Sequence, residues 1–422
     1  MSGNKLLMII NEFPPTGLSG VQRALKFLKY ACREGWEVHA VVPARPVRKE
    51  TDPSLLEEIP AAAHIHRVSG LGIKSRNVSR ITSTRFADTR PKNPLKRGFW
   101  ALLKFLNDLL WPIDKQIGWM PFAAIKAASL IRRHGIRNIY ITAWPFSSFL
   151  AGISLKKRFG QKIFWAADYR DSWQFAPLLD QKVLPFRKRR IAQTDAKVLQ
   201  ACDKAVFVTP QIRDRYLARY PWLEGKAEVI TNGFDEDDFA GLAPVPYPEP
   251  TLVYMGRMDR NYGDPLKLLE GIAGCPVPGL GFVHLGSADP QLLERIGQCG
   301  YGFYTHLGYL PHKQALAHAL GAWVNIIMLA DNPASEQVYT GKLFELLRAG
   351  KPILSVGPQR SVIAGLLDET GAGLHVHIAD PQAISAALER LLADPPSYDP
   401  NSDLIKRFSR AETTRQLLRL FP

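Results

Sequence analysis

Glycines that free a backbone, cations that neutralise phosphate and carboxylates that hold hydroxyls gather in four short segments of this 422-residue sequence. The fullest reads Tyr339-Thr340-Gly341-Lys342-Leu343-Phe344-Glu345-Leu346-Leu347-Arg348-Ala349-Gly350. Its apolar spacing predicts a helix that turns Leu343, Phe344, Leu346 and Leu347 to a sheet, with Gly341 at its tip, Lys342 on the first turn and Glu345 facing the same side. A helix N-terminus with a lysine is a phosphate site, and a carboxylate one turn on suits sugar or ribose hydroxyls. The bland alternative is an exposed i,i+3 salt bridge. In Tyr254-Met255-Gly256-Arg257 an arginine directly follows an apolar run, where its guanidinium can give two parallel hydrogen bonds to a phosphate or carboxylate. A plain surface arginine fits that position as well. Pro14-Pro15-Thr16-Gly17-Leu18-Ser19-Gly20 lets a backbone approach an anion before a helix, yet is neither a P-loop nor GxGxxG. Ala167-Asp168-Tyr169-Arg170-Asp171-Ser172-Trp173 sets two carboxylates around an arginine, which suits acid/base work or hydroxyl binding. It suits a structural salt bridge at a functional rim better.

Such groups act only if strand ends present them. Short apolar runs at Leu6–Ile10, Val38–Val42, Ile139–Thr142, Ile163–Ala166, Lys204–Val208 and Glu228–Ile230 predict buried parallel strands, with helical segments such as Val21–Arg33 between them. The pattern restarts with strands at Leu252–Met255, Gly281–Leu285, Trp323–Leu329 and Pro352–Val356. Helices are predicted at Pro265–Ile272, Lys342–Ala349 and Ala383–Leu392, and a long one over Asp403–Leu420. Between the two series, residues 241–250 hold Pro244, Pro246, Pro248 and Pro250, a stiff linker. The expectation is an α/β chain of two Rossmann-like doubly wound parallel sheets: a domain over 1–240, the linker 241–250, a second domain over 251–400, and a terminal helix at 401–422 that can return to the first domain.

Charge separates the halves. The chain holds 54 Lys+Arg and 39 Asp+Glu, a balance of +15. Residues 1–210 have 35 basic and 15 acidic side chains (+20), and the remainder 19 and 24 (−5). Apolar runs with basic flanks at 96–112, including Trp100 and Phe105, suit a helix lying on an anionic membrane surface, and a core helix is the plainer reading. Lys74–Pro94 reads as an exposed loop. Four cysteines without CxxC spacing or a nearby histidine cluster argue against a disulfide scaffold and a structural zinc site, and for a reducing, cytoplasmic setting, at most peripheral at the inner face of the plasma membrane. No nucleic-acid-binding motif accompanies the basic half, so no nucleic-acid partner is expected.

Taken in order, FPPTGLSGVQRA, DYRDSW, KAVFVTPQIRDRY, AEVITNGFDEDDF, YMGRM, VHLGSADP, HLGYLP and TGKLFELLRAGKPILSV resemble glycosyltransferase family 4, from near the start to about residue 360. The resemblance implies the GT-B architecture, two such domains facing each other across a cleft. It implies that the second domain binds a nucleotide-diphosphate sugar as donor substrate and the first binds a sugar or other acceptor, with retention at the anomeric carbon, no separate cofactor and no metal; the basic first half points to a lipid-linked or polysaccharide intermediate as that acceptor. Carried over, Arg257, Lys342 and Glu345 would be the catalytic set. Arg257 and Lys342 would neutralise the diphosphate, and Glu345 would hold the ribose. Gly20, Gly256, Arg260, Gly286, Gly308, Tyr309, Leu310, Thr340 and Gly341 would bind the donor. The acceptor or the rim would meet Trp144, Asp168, Arg170 and Asp171. The sequence departs from the family at Tyr262, where a lysine is usual, at Gln337, where a glutamate is usual, and at Thr142-Ala143-Trp144-Pro145, which lacks a histidine. A sugar-nucleotide epimerase of the same fold and an inactive scaffold subunit are the alternatives.

Overall fold

The computed structural model describes residues 4–17, 19–46, 51–70, 113–114, 116–175, 184–259 and 263–422. They form two α/β units, one running to Thr231 and including Thr414–Pro422, the other Asn232–Thr413. The first holds a parallel sheet of β1 (Lys5–Ile9), β2 (Glu37–Pro43), β3 (His64–Val68), β4 (Asn138–Ala143), β5 (Phe164–Tyr169), β6 (Lys204–Phe207) and β7 (Ala227–Val229), in the order β3-β2-β1-β4-β5-β6-β7. Alternation along β1 explains why its run is apolar throughout. Leu7 and Ile9 pack under the helices Met120–His134 and Phe149–Phe159, while Leu6 and Met8 pack under Ser19–Arg33 and the chain's last residues. Leu417, Leu418 and Phe421 of that last stretch join Phe27 and Tyr140 in one core.

The second unit repeats the plan with β8 (Thr251–Met255), β9 (Gly281–Leu285), β10 (Tyr304–Gly308), β11 (Val324–Met328), β12 (Ile353–Gly357) and β13 (Gly373–His377), in the order β10-β9-β8-β11-β12-β13, all parallel. Each sheet reverses its strand order once, between β1 and β4 and between β8 and β11. In open parallel sheets the loops at such a reversal diverge, and ligands bind at the carboxyl ends of the strands there. The expected two doubly wound sheets are therefore present.

Three features differ from or extend the sequence reading. The predicted single helix over 403–420 is two, Asp403–Lys406 and Arg410–Leu418. At the break the backbone bonds sideways: Phe234 N–H donates to Phe408 O (3.1 Å) and Arg410 N–H to Phe234 O (2.7 Å). Gly233 permits this, because a Cβ there would lie 2.0 Å from Phe408 O. The Pro-rich stretch 241–250 is docked within the second unit, with Val245 N–H on Ala317 O (2.9 Å) and Trp323 Nε1 on Tyr247 O (3.2 Å). The loop expected at Lys74–Pro94 and the amphipathic segment at 96–112 lie outside the described residues. Among the described residues no helix is long and apolar enough to cross a membrane.

Candidate functional site

At the carboxyl ends of β8, β9 and β10 the chain places Gly256, Gly286 and Gly308 side by side. Gly256 N–H donates to Leu285 O and Gly286 N–H to Gly308 O, each at 2.7 Å. Gly286 has φ 137°, and a Cβ on it would lie 2.1 Å from Gly256 O, so only glycine lets the β8 and β9 loops lie this close. The loops stay zipped onward, with Met258 N–H on Ser287 O (2.9 Å) and Asp289 N–H on Met258 O (3.1 Å). The floor beneath them is aromatic. His284 donates from Nε2 to Gly256 O (2.8 Å), since a carbonyl only accepts, and its Nδ1 therefore accepts from Tyr304 Oη (2.9 Å). Burial pushes the His284 imidazole down to about 4, so it is neutral in this role. His306 stacks on it at 4.7 Å and donates from Nε2 to Gly286 O (2.8 Å).

Lys342 reaches this floor from the helix Gly341–Ala349. Its ammonium lies 5.8 Å from the centre of the Tyr254 ring, and a Cβ on Gly256 would come within 2.7 Å of it. Among the described residues Lys342 has no ion-pair partner, and burial lowers its pKa, with the nearby Glu345 acting in opposition. Thr340 occupies the N-cap without a side-chain capping bond, and its Oγ1 is buried with no hydrogen-bond partner among the described residues. Gly341 is exposed at the helix tip. An unfilled cap, an open helix N-terminus and an amine thus meet beside a glycine loop, which is what an oxyanion of a phosphate needs.

Other expected residues sit at varying remove. Arg257 is exposed, 2.7 Å from Asp259 through Nε, and its carbonyl accepts from Tyr254 Oη (2.9 Å). Glu345 accepts from His312 Nε2 (3.0 Å) rather than pairing with Lys342; His312 Nδ1 lies 4.0 Å from Asp238. Tyr309 is exposed, and Leu310 packs against the unit's core. Arg260 lies outside the described residues.

In the first unit Arg170 holds three strand-end loops together. It pairs with the buried Glu12 (2.5 Å), donates to Trp144 O (3.3 Å) and donates to Gly20 O. Gly20 has no room for a side chain because the Arg170 guanidinium fills that space. Asp168 is wholly buried and takes hydrogen bonds from Arg23 (2.7 and 3.0 Å), Tyr140 (2.6 Å) and Thr142 (2.9 Å). Arg23 in turn donates to Thr231 O and Ile230 O. Asp171 is exposed beside Arg170. The sequence reading missed Asn11, at the end of β1, whose buried amide oxygen and nitrogen have no partner among the described residues. It also missed His284 and His312. The tripeptide His-Leu-Gly, present at both 284–286 and 306–308, was a usable signal for the first of these.

Residues 81–238 match the sequence model of the family described as Glycosyltransferase Family 4. No curated protein matches the chain. Among solved structures the chain is similar to sucrose-phosphate synthase from Thermosynechococcus elongatus, at 17% identity and TM-score 0.65 over 99% of this chain and 98% of that one. It is similar to a glycosyltransferase from Rickettsia africae, at 14% and 0.62 over 100% and 98%. It is also similar to HepE of Anabaena in complex with UDP and glucose, at 12% and 0.61 over 99% of both chains. At such identities the likeness is one of fold.

Proposed function

We propose that this chain, a glycosyltransferase of family 4 with two GT-B-type parallel-sheet units, moves a sugar from a nucleotide diphosphate to an anionic or lipid-linked acceptor, with retention and without a metal. The observation that carries the donor half is the Thr340 hydroxyl, buried without a hydrogen-bond partner among the described residues, beside the Lys342 ammonium, which has no ion-pair partner among them, at the tip of the Gly341–Ala349 helix. As the sugar bond breaks, negative charge grows on the leaving phosphate. A fixed cation and a helix dipole stabilise that charge more than the ground state. Gly256 and Gly286 would let the pyrophosphate lie against backbone, and the exposed Arg257, paired with Asp259, would supply a second cation. HepE is described in complex with UDP, so a uridine diphosphate sugar is the first donor to test. For the acceptor, the support is the +20 balance of residues 1–210, counted as 35 basic against 15 acidic side chains, which favours a pyrophosphate-linked intermediate at an anionic membrane face.

Isothermal titration of UDP and GDP tests the donor half. Replacing Lys342 with Ala should weaken binding by about 10–100-fold, the loss of one charge-assisted hydrogen bond. Unchanged affinity in both Lys342→Ala and Arg257→Ala removes the assignment. Turnover of nucleotide-sugar without any acceptor would instead favour an epimerase.

A further inference from the structure

Outside the donor site, four imidazoles converge on the opposite end of the first sheet. Register pairs His39 with His64 and Val41 with His66 across β2 and β3, so His39, His64 and His66 share the face that Glu37 also occupies. The helix Met120–His134 packs on that face and ends there, setting the His134 ring 4.4 Å from that of His39. His64 stacks on the other side at 4.6 Å. His39 is buried; Glu37 and His134 are half-buried.

We propose that Glu37, His39 and His134 bind a divalent transition-metal ion, zinc foremost, pinning the end of this helix to β2. One donor atom from each of the three lies within 4.8 Å of the other two. Two imidazoles and a carboxylate suit zinc, with a fourth position left for water. The hydrogen bonds are already those of a metal site holding a proton in place of the ion. His39 Nε2 donates to Glu37 Oε1 (2.9 Å), and His66 Nε2 donates to His39 Nδ1 (3.1 Å). When the ion takes Nε2, the His39 proton shifts to Nδ1 and His66 shifts its own to the far nitrogen, becoming the acceptor. Both rings stay neutral and no net proton leaves. His66 then orients the ligand, as outer partners do. Lys5 occupies Glu37 Oε2 (2.9 Å) and leaves Oε1 for the ion. The site stands at the start of β2, away from the strand-end loops, so its role is structural.

The test uses the full chain, stripped with a chelator and titrated with zinc chloride against a chromophoric indicator, with cobalt(II) as spectroscopic probe. One equivalent should bind, cobalt should give visible bands of a low-coordinate site, and zinc should raise the unfolding temperature. His134→Asn should weaken zinc by at least about tenfold with the far-ultraviolet spectrum unchanged. Glu37→Gln should do the same, and serves alone if the first variant does not fold. Absence of a bound equivalent, or wild-type affinity in a folded variant, overturns the proposal.

Discussion

Thr340 is the residue on which binding and stability separate most cleanly. Its hydroxyl is buried and has no hydrogen-bond partner among the described residues. A bound phosphate oxygen would give it a partner. Thr340→Val keeps the shape, and we expect it to lower nucleotide affinity by about 0.5–1.5 kcal/mol while leaving the unfolding midpoint unchanged or raised; calorimetry and a melt on the same sample check this. Asp168 behaves in the opposite way. Asp168→Asn strands the Arg23 guanidinium inside the first unit, and we expect about 3–5 kcal/mol of lost stability in urea unfolding with nucleotide affinity unchanged. Lys342, Gly341 and Thr340 were readable because a helix tip follows from a local pattern. The Arg23–Asp168 pair spans 145 positions, and no local pattern reports a partner so distant. For the same reason Gly20 reads as a ligand loop, although in this fold Arg170 fills the space beside it.

Among the elements, the central strands were legible, and of the four edge strands only β7 was read, as Glu228–Ile230. β1, β4, β8 and β11 are buried almost throughout and mostly apolar, interrupted by Lys5, Asn138, Thr142, Thr251 and Asn325. The edge strands β3 (HIHRV), β10 (YTHLG) and β13 (GLHVH) are half-exposed and mix polar residues in, so an apolar-run criterion passes over them. The break at Phe408 was hidden because helical periodicity continues through it. Only the pairing with Phe234 shows where those backbone groups go. Glycine substitutions probe how closely the loops must pack. Gly286→Ala forces a Cβ against Gly256 O in a backbone conformation that L-residues avoid. It should cost about 1–3 kcal/mol and also weaken nucleotide binding. Gly297→Ala, on the helix Pro290–Gln298 with open space around it, should instead add about 0.5–1 kcal/mol. Equal effects at the two positions in thermal melts would show that the β8–β9 approach is not constrained.

At the scale of the whole chain, the two units carry opposite pH liabilities. In the first, Asp195 is wholly buried and accepts from Tyr169 (2.7 Å) and Tyr216 (2.9 Å), and burial pushes its carboxyl up to about 7. The unfolded chain releases that proton near pH 3.9. Between those values the folded state binds more protons, so the Asp195 contribution to stability is complete below about pH 4 and is lost as pH rises towards 7. In the second unit, buried His284 is pushed down to about 4, against about 6.5 when unfolded. There the unfolded state binds more protons, and stability is lost as pH falls through that window. Urea unfolding at pH 4.5, 6 and 7.5 reads both by difference. Asp195→Asn should gain on the wild type as pH rises, by about 2–4 kcal/mol across the window. His284→Gln should gain as pH falls, by about 2–3 kcal/mol. Profiles parallel to the wild type would mean that neither group titrates with folding. The His284 result has a further use, because that ring supports Gly256 O from beneath. Nucleotide affinity should therefore fall below pH 5 in the wild type, as a protonated ring loses its acceptor bond from Tyr304, and this acid loss should be smaller in His284→Gln.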